Sequence, residues 1–377
     1  MGEIIMSTKE QNLYHQAMSV IDKRLTISEF SILINKSYRQ SRRIIKNISE
    51  KGIRGIKHGN IKKKPINKTT QILADEVLSL LKSKYSNFNL THFREMLKSE
   101  EGILIGKNVI HRIAKSNHLV KRPKRRARKI YKPRPRMPQE GMLLQMDGSC
   151  HKWFGNFESD LIGAIDDATS EVVGAEFFIG ETSLHCMKVM KDIVLSKGIP
   201  GSFYLDQAGF FGKQDRDQSS TQIGRALEEL GCEVILAGSP QAKGRIERLW
   251  NTFQDRLIAE LRFYQIANIP AANKFLWEYF IPKYNKMFTV KPRVNYVAYR
   301  KLSPELDLEF IFCTKEYRKI GSGGIFSWKN ERYQIESSQD YRYRTIHVNL
   351  HYPNGCTFTI TGKKVNVKKV EINEKRF

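Results

Sequence analysis

The sequence predicts a multidomain α+β protein: helix-turn-helix units at the N-terminal end, a central mixed β-sheet with flanking helices, and a small β-barrel at the C-terminal end. Three observations carry this. The 377 residues exceed what one average domain holds. The apolar periodicity changes from helical to strand-like near residue 142, and short strands return after residue 288. The charge changes with it: residues 1–139 carry a net +22, residues 140–287 a net −5, and residues 288–377 a net +8, within a total of +25. The expected segments are 1–64, 65–119, a basic linker 120–139, a core 140–288 and a C-terminal domain 289–377.

Basic flanks around an acidic middle suggest a polyanion gripped by the ends and something cationic bound at the centre. Other classes fall away. No run of about 18 apolar residues offers a membrane span. MGEIIMSTKEQ carries an early acid and no apolar stretch, so no secretory signal is expected and the expected location is the cytoplasm, at the nucleoid when DNA is bound. Cys150, Cys186, Cys232, Cys313 and Cys356 are scattered, with no C-x-x-C pair, which argues against a disulfide framework or a thiolate zinc site.

Residues 10–22 and 26–35 have helical periodicity, and Thr26-x-x-Glu29 is a capping box. After a short turn, Ser37-x-x-Gln40 opens SYRQSRRIIKNISEKG, which places Arg39, Arg42, Arg43 and Lys46 near Ile44, Ile45 and Ile48. Two short helices with a basic second one fit a DNA-reading helix-turn-helix, and equally a small bundle with a solvated basic face. Helices near 69–84, 91–99 and 106–117 form a second unit, with Thr91 a plausible cap. VKRPKRRARKIYKPRPR, residues 120–136, holds ten basic residues and no acid, a composition suited to lying along phosphates.

In the middle, MLLQMDGS, DLIGAIDDATSEVVGAEFFI and SFYLD read as strands, followed by helices and EVILA. Asp166-Asp167-Ala168-Thr169 is a hairpin turn. Asp147 closes the first strand and Asp206 the fourth; if these strands are neighbours, both carboxylates leave the same sheet edge. In SPQAKGRIERLWNTFQDRL the apolar stripe is Ile246, Leu249, Trp250, Phe253 and Leu257. Glu247 borders that stripe, so it is either a surface ion-pair partner or a third acid facing the edge. Three converging acids repel unless a divalent cation joins them, and Mg²⁺ or Mn²⁺ prefers such oxygen donors.

QMDGSCHKW (145–153), LIGAIDDATSEVVGAEF (161–177), YLDQAGFF (204–211), GRALEELG (224–231) and SPQAKGRIERLWNTFQDRLIAELR (239–262) together resemble the DDE integrase core of ISNCY-type insertion-sequence transposases. The resemblance covers roughly residues 140–287 and implies a ribonuclease H-like fold. It implies that Asp147, Asp206 and Glu247 are the catalytic, metal-binding triad holding two Mg²⁺ or Mn²⁺ ions, with Lys243, Arg245 and Arg248 facing DNA phosphates. The Asp206–Glu247 separation is longer than in many integrases, the excess lying in FGKQDRDQSSTQ. The implied reaction is phosphoryl transfer on double-stranded DNA. Water frees a 3′-OH at the terminal inverted repeats, and that hydroxyl then attacks target DNA. Joining two ends implies at least a dimer, with no membrane involved. Two alternatives stand beside it: a transposase-derived DNA-binding regulator without cleavage, and a ribonuclease H-like nuclease that only hydrolyses.

Beyond 288, GGIFSWKNERYQI, YRYRTIHVNLHY, GCTFTI and KKVNVKKVEI read as short strands, with turns at Lys329-Asn330 and Pro353-Asn354-Gly355. Tyr341-Arg342-Tyr343-Arg344 interleaves rings and cations as a nucleic-acid surface would, and as an ordinary two-faced strand would.

Overall fold

The structure is a computed structural model that describes residues 6–57, 68–120, 134–155, 157–206, 221–236 and 244–370. The chain divides into two compact units, 1–74 and 75–377. In the first, α1 (Thr8–Ile21), α2 (Ile27–Leu33) and α3 (Tyr38–Lys51) close over Ala17, Phe30 and Ile48. The Thr26–Glu29 capping box forms reciprocally. At α3 only one half forms: the Ser37 hydroxyl accepts from the Gln40 amide. The isoleucines of α3 turn to the core, which leaves Arg39, Arg42, Arg43 and Lys46 exposed.

The second unit takes in α4 (Gln71–Lys82, whose first residues precede the division), α5 (Leu90–Ser99) and α6 (Lys107–Ser116). The cap of α5 is Asn89 rather than Thr91, because the Asn89 side chain reaches the amides of both Thr91 and His92.

The central sheet comprises β1 (Leu143–His151), β2 (Ser159–Asp166), β3 (Val172–Phe178), β4 (Ser202–Leu205) and β5 (Glu233–Leu236), in the order β3-β2-β1-β4-β5. The first three are antiparallel; β4 pairs parallel to β1, and β5 parallel to β4. Parallel pairing needs a crossover, supplied by α7 (Ser183–Lys197) and α8 (Gln222–Glu229). These two cover one face against Leu144, Met146, Ile162 and Phe203. The other face receives α9 (Gly244–Phe263), α10 (Ile269–Phe275) and α11 (Ile281–Phe288). The apolar stripe expected of α9 is buried as drawn: Ile246, Leu249, Trp250, Phe253 and Leu257 all lie in this second cluster.

The C-terminal part of α9 also carries the α4–α6 helices. Tyr85 stacks on Phe263, Glu95 receives the Arg256 guanidinium, and Asn89 donates to Asp255. His92 Nε2 lies 2.7 Å from Glu260 Oε1, and Lys283 Nζ lies 2.9 Å from the same oxygen.

After α12 (Leu308–Ile311) come β6 (Thr314–Lys319), β7 (Ile325–Trp328), β8 (Glu331–Ile335), β9 (Thr345–His351), β10 (Gly355–Ile360), β11 (Lys363–Lys364) and β12 (Val367–Val370). Both expected turns are found, Lys329 and Asn330 with positive φ joining β7 to β8. Among the described residues the expected small barrel is not closed. The strands form two separate sheets, β11-β10-β9-β6 and β12-β8-β7, facing each other across Ile320, Phe326, Trp328, Ile346 and Val348. Closure requires continuous pairing around the ring, and here the two sheets share a core instead. Tyr341–Arg344 also departs from the strand reading: it is a turn ahead of β9, with Tyr343 at positive φ and exposed. Among the described residues no helix is long and apolar enough to cross a membrane.

Candidate active site

The sheet register brings the first two acids together. Gln145 of β1 pairs with Tyr204 of β4, so Asp147 and Asp206 each follow that pair by two residues at the same sheet edge. Side chains alternate across a strand, so acids at matching registers of neighbouring parallel strands share a face. Asp147 is held from α9: Trp250 Nε1 donates to its Oδ2 at 3.2 Å. The indole reaches that far because Gly163, opposite Asp147 on β2, has no side chain. A Cβ there would lie 2.7 Å from the Trp250 ring.

Glu247 lies in the first turn of α9, three residues before Trp250 and therefore one helical turn from the indole that touches Asp147. Its side chain is exposed. Among the described residues no three His, Cys, Asp or Glu side chains stand close enough to enclose a metal ion. Asp147 and Asp206 share an edge, and Glu247, one turn from the indole that touches Asp147, is exposed.

One acid at this edge was missed by sequence reasoning. Glu181 precedes α7, and its carboxylate rests against the backbone of Gly148, next to Asp147. A Cβ on Gly148 would lie 2.4 Å from Glu181 Oε2. Burial first, then the charges of Asp147, Asp206 and Asp160, push the Glu181 carboxyl up to about 7. Nothing in local sequence marks it; the signal is the glycine directly after Asp147, which leaves room for a carboxylate. The donors here are hard oxygens crowded at one edge, a chemistry that fits Mg²⁺ or Mn²⁺ and not a soft metal.

The basic residues divide. Arg248 is exposed near Glu247, and Lys243 lies outside the described residues. Arg245, expected to face phosphates, turns inward: its Nη1 donates to Asp167 at 2.8 Å and its Nη2 to the carbonyl of Arg134 at 2.8 Å. The buried Asp167 carboxylate outcompetes solvent for that guanidinium. Trp153 is fully buried and donates to the Ser149 carbonyl, a packing role. All five cysteines are free.

No family model matches the chain. A protein of Sinorhizobium fredii named as a transposase, y4bF, is 31% identical over 347 residues, covering 90% of this chain and 75% of that protein. The transposase for insertion sequence IS1202 of Streptococcus pneumoniae is 28% identical over 367 residues, covering 86% of this chain and 77% of that one. Among solved structures, the magnesium complex of the HTLV-2 integrase catalytic core (trimeric form) is 16% identical, covering 37% of this chain and 84% of that one, at a TM-score of 0.30. The simian T-cell lymphotropic virus intasome bound to the PP2A regulatory subunit B56γ is 13% identical, covering 79% of this chain and 99% of that one, at 0.35. Likeness this low carries no inference about chemistry. The two sequence relatives do decide the family: this chain is a member of the insertion-sequence transposases.

Proposed function

We propose that the protein is a DDE transposase with a ribonuclease H-like core, which binds the terminal inverted repeats of its element and catalyses 3′-end cleavage and strand transfer. The observation that carries this reading is the pairing of Asp147 and Asp206 at one sheet edge, with α9 fastened to Asp147 one turn from Glu247.

In this reading Asp147, Asp206 and Glu247 hold two divalent cations. When bound, the ions supply activation of the attacking oxygen and neutralisation of charge at phosphorus. The chain's own residues do the rest. Trp250 fixes the rotamer of Asp147, and β4 presents Asp206 in register with it. Glu247 is supplied from a helix anchored by its buried stripe. Arg248, exposed close by, would bind a backbone phosphate of DNA laid across the edge. The exposed Arg39, Arg42, Arg43 and Lys46 of α3 would enter the DNA as the second helix of a helix-turn-helix. Two such chains are needed to join two ends.

The test uses duplexes carrying the DNA ends that flank the gene, with Mg²⁺, and compares wild type with Glu247→Gln. The expected outcome is nicking at the 3′ ends and a joined product with wild type, neither with Glu247→Gln, and equal DNA binding by both. Hydrolysed ends that are never joined would point to a nuclease. Binding without any product from wild type would point to a regulator and return Glu247 to being a surface charge.

A further inference from the structure

The hairpin turn between β2 and β3 contains two buried aspartates with different duties. Asp166 serves the turn itself: its carboxylate accepts from the amides of Ala168 and Thr169 at 2.9 and 2.8 Å, from the Thr169 hydroxyl at 3.0 Å, and from the Gly141 amide at 2.7 Å. Asp167, fully buried, faces away from the turn. Its Oδ1 accepts from Gln145 Nε2 at 2.7 Å, from Arg245 Nη1 at 2.8 Å and from the Arg134 guanidinium, and its Oδ2 accepts from the Met137 amide at 2.8 Å.

The partners of that one oxygen share a position. Gln145 lies two residues before Asp147, and Arg245 lies two residues before Glu247. Arg134 sits over the ring of Tyr204, at 5.7 Å, and Tyr204 lies two residues before Asp206. Gln145 also closes the ring of contacts, its Oε1 accepting from the Ile246 amide at the start of α9 at 3.3 Å. A single carboxylate therefore ties together the three backbone segments that carry the candidate acids. A buried carboxylate with two guanidinium partners is stable only with all of them in place, so the tie is stiff.

We infer that Asp167 is a positioning residue, which sets the mutual register of the segments bearing Asp147, Asp206 and Glu247 through Gln145, Arg134 and Arg245. The inference rests on the proposed cation site. Constellations of this kind work only when held to a fraction of an ångström by a supporting layer of packed, hydrogen-bonded residues. Asp167 touches neither DNA nor cation and acts through its partners. It also explains why Arg245 is withdrawn from the surface.

The experiment compares wild type with Asp167→Asn, Arg245→Gln, their double variant, and Asp166→Asn as a control from the same turn. Mn²⁺ binding without DNA is measured by calorimetry, end cleavage with Mg²⁺ on gels, and folding by thermal melts. Asp167→Asn and Arg245→Gln are each expected to weaken Mn²⁺ binding about ten-fold. Each is expected to slow cleavage about a hundred-fold, with DNA affinity unchanged. The double variant is expected to be no worse than Asp167→Asn, since the two act through one contact. Asp166→Asn is expected to lower the melting temperature while leaving Mn²⁺ affinity unchanged. Equal Mn²⁺ affinities in wild type and Asp167→Asn overturn the inference, as do equal losses in Asp167→Asn and Asp166→Asn. If wild type binds Mn²⁺ and cuts no DNA, the transposition reading fails while the Mn²⁺ series still decides the role of Asp167. If wild type binds no Mn²⁺, both fall.

Discussion

Two shielded glutamates in the same unit respond to their surroundings in opposite directions. Glu260, on α9, is buried, and burial alone would raise its carboxyl pKa; hydrogen bonds from His92 and Lys283 outweigh that and hold it low. Glu181, half-buried at the sheet edge, is pushed up to about 7 by burial and by Asp147, Asp206 and Asp160, while the Cys186 thiol donates to it. Around Glu260 the ion pairs Lys283–Glu260 and Arg256–Glu95 fasten helices together. At the sheet edge like charges crowd. Crowding of that kind is costly for a fold on its own and makes sense where a cation is to be received. The first region serves stability; in the proposed reading the second is where a cation is received.

The comparison can be broken at either end. The largest effect is expected from Asp147→Asn: loss of one proposed cation ligand and weakening of the Trp250 hydrogen bond should slow end cleavage by about 10³-fold or more, since the ions would supply several kcal/mol, while the melting temperature changes little. Single-turnover cleavage assays beside melts check this. Next comes Glu260→Ala, which strands His92 and Lys283 without their shared acceptor. It should cost about 3–5 kcal/mol of stability in urea unfolding, with Mn²⁺ affinity retained by the folded fraction. A loss of Mn²⁺ affinity there would show that the two regions are not separate.

Smaller effects sharpen the picture. Gly148→Ala would push the Glu181 carboxylate out of its place and should cost about 1 kcal/mol, the scale of a side chain forced off its rotamer, read from the urea midpoint. The pH dependence follows from Glu181 itself. Its carboxyl is raised from an ordinary 4.5 to about 7, so the protonated form is the one the fold prefers. That contribution is fully present below 4.5 and is lost as pH rises through about 7. Metal-free wild type should therefore lose stability across this window, and Glu181→Gln should flatten the slope; an unchanged slope would show that Glu181 is not crowded.

What could be read in the sequence was local or periodic. The Thr26 capping box, the apolar stripe of α9, the two C-terminal turns and the end of β4 beside Asp206 follow from spacing and residue type, and all are found; β1, expected to close at Asp147, instead runs on to His151 because it stays paired with β2. What could not be read depends on partners far away in the chain. His92 meets Glu260 across 168 residues, and Arg245 meets Asp167 across 78. No window of sequence shows that a basic residue in a K/R-rich helix turns inward, or that a glycine makes space for an acid 33 residues further on. Whether the C-terminal strands close into one barrel could not be read for the same reason: alternation identifies strands, while closure into one sheet or division into two is decided by long-range pairing.

The most direct test of the account is a Mn²⁺ titration of the DNA-free protein, followed by calorimetry in wild type, Asp206→Asn and Lys283→Met. The account predicts saturable binding in wild type, its loss in Asp206→Asn, and binding like wild type in folded Lys283→Met. Binding that survives Asp206→Asn unchanged, or no binding by wild type, would contradict the claim that the crowded edge is a cation seat.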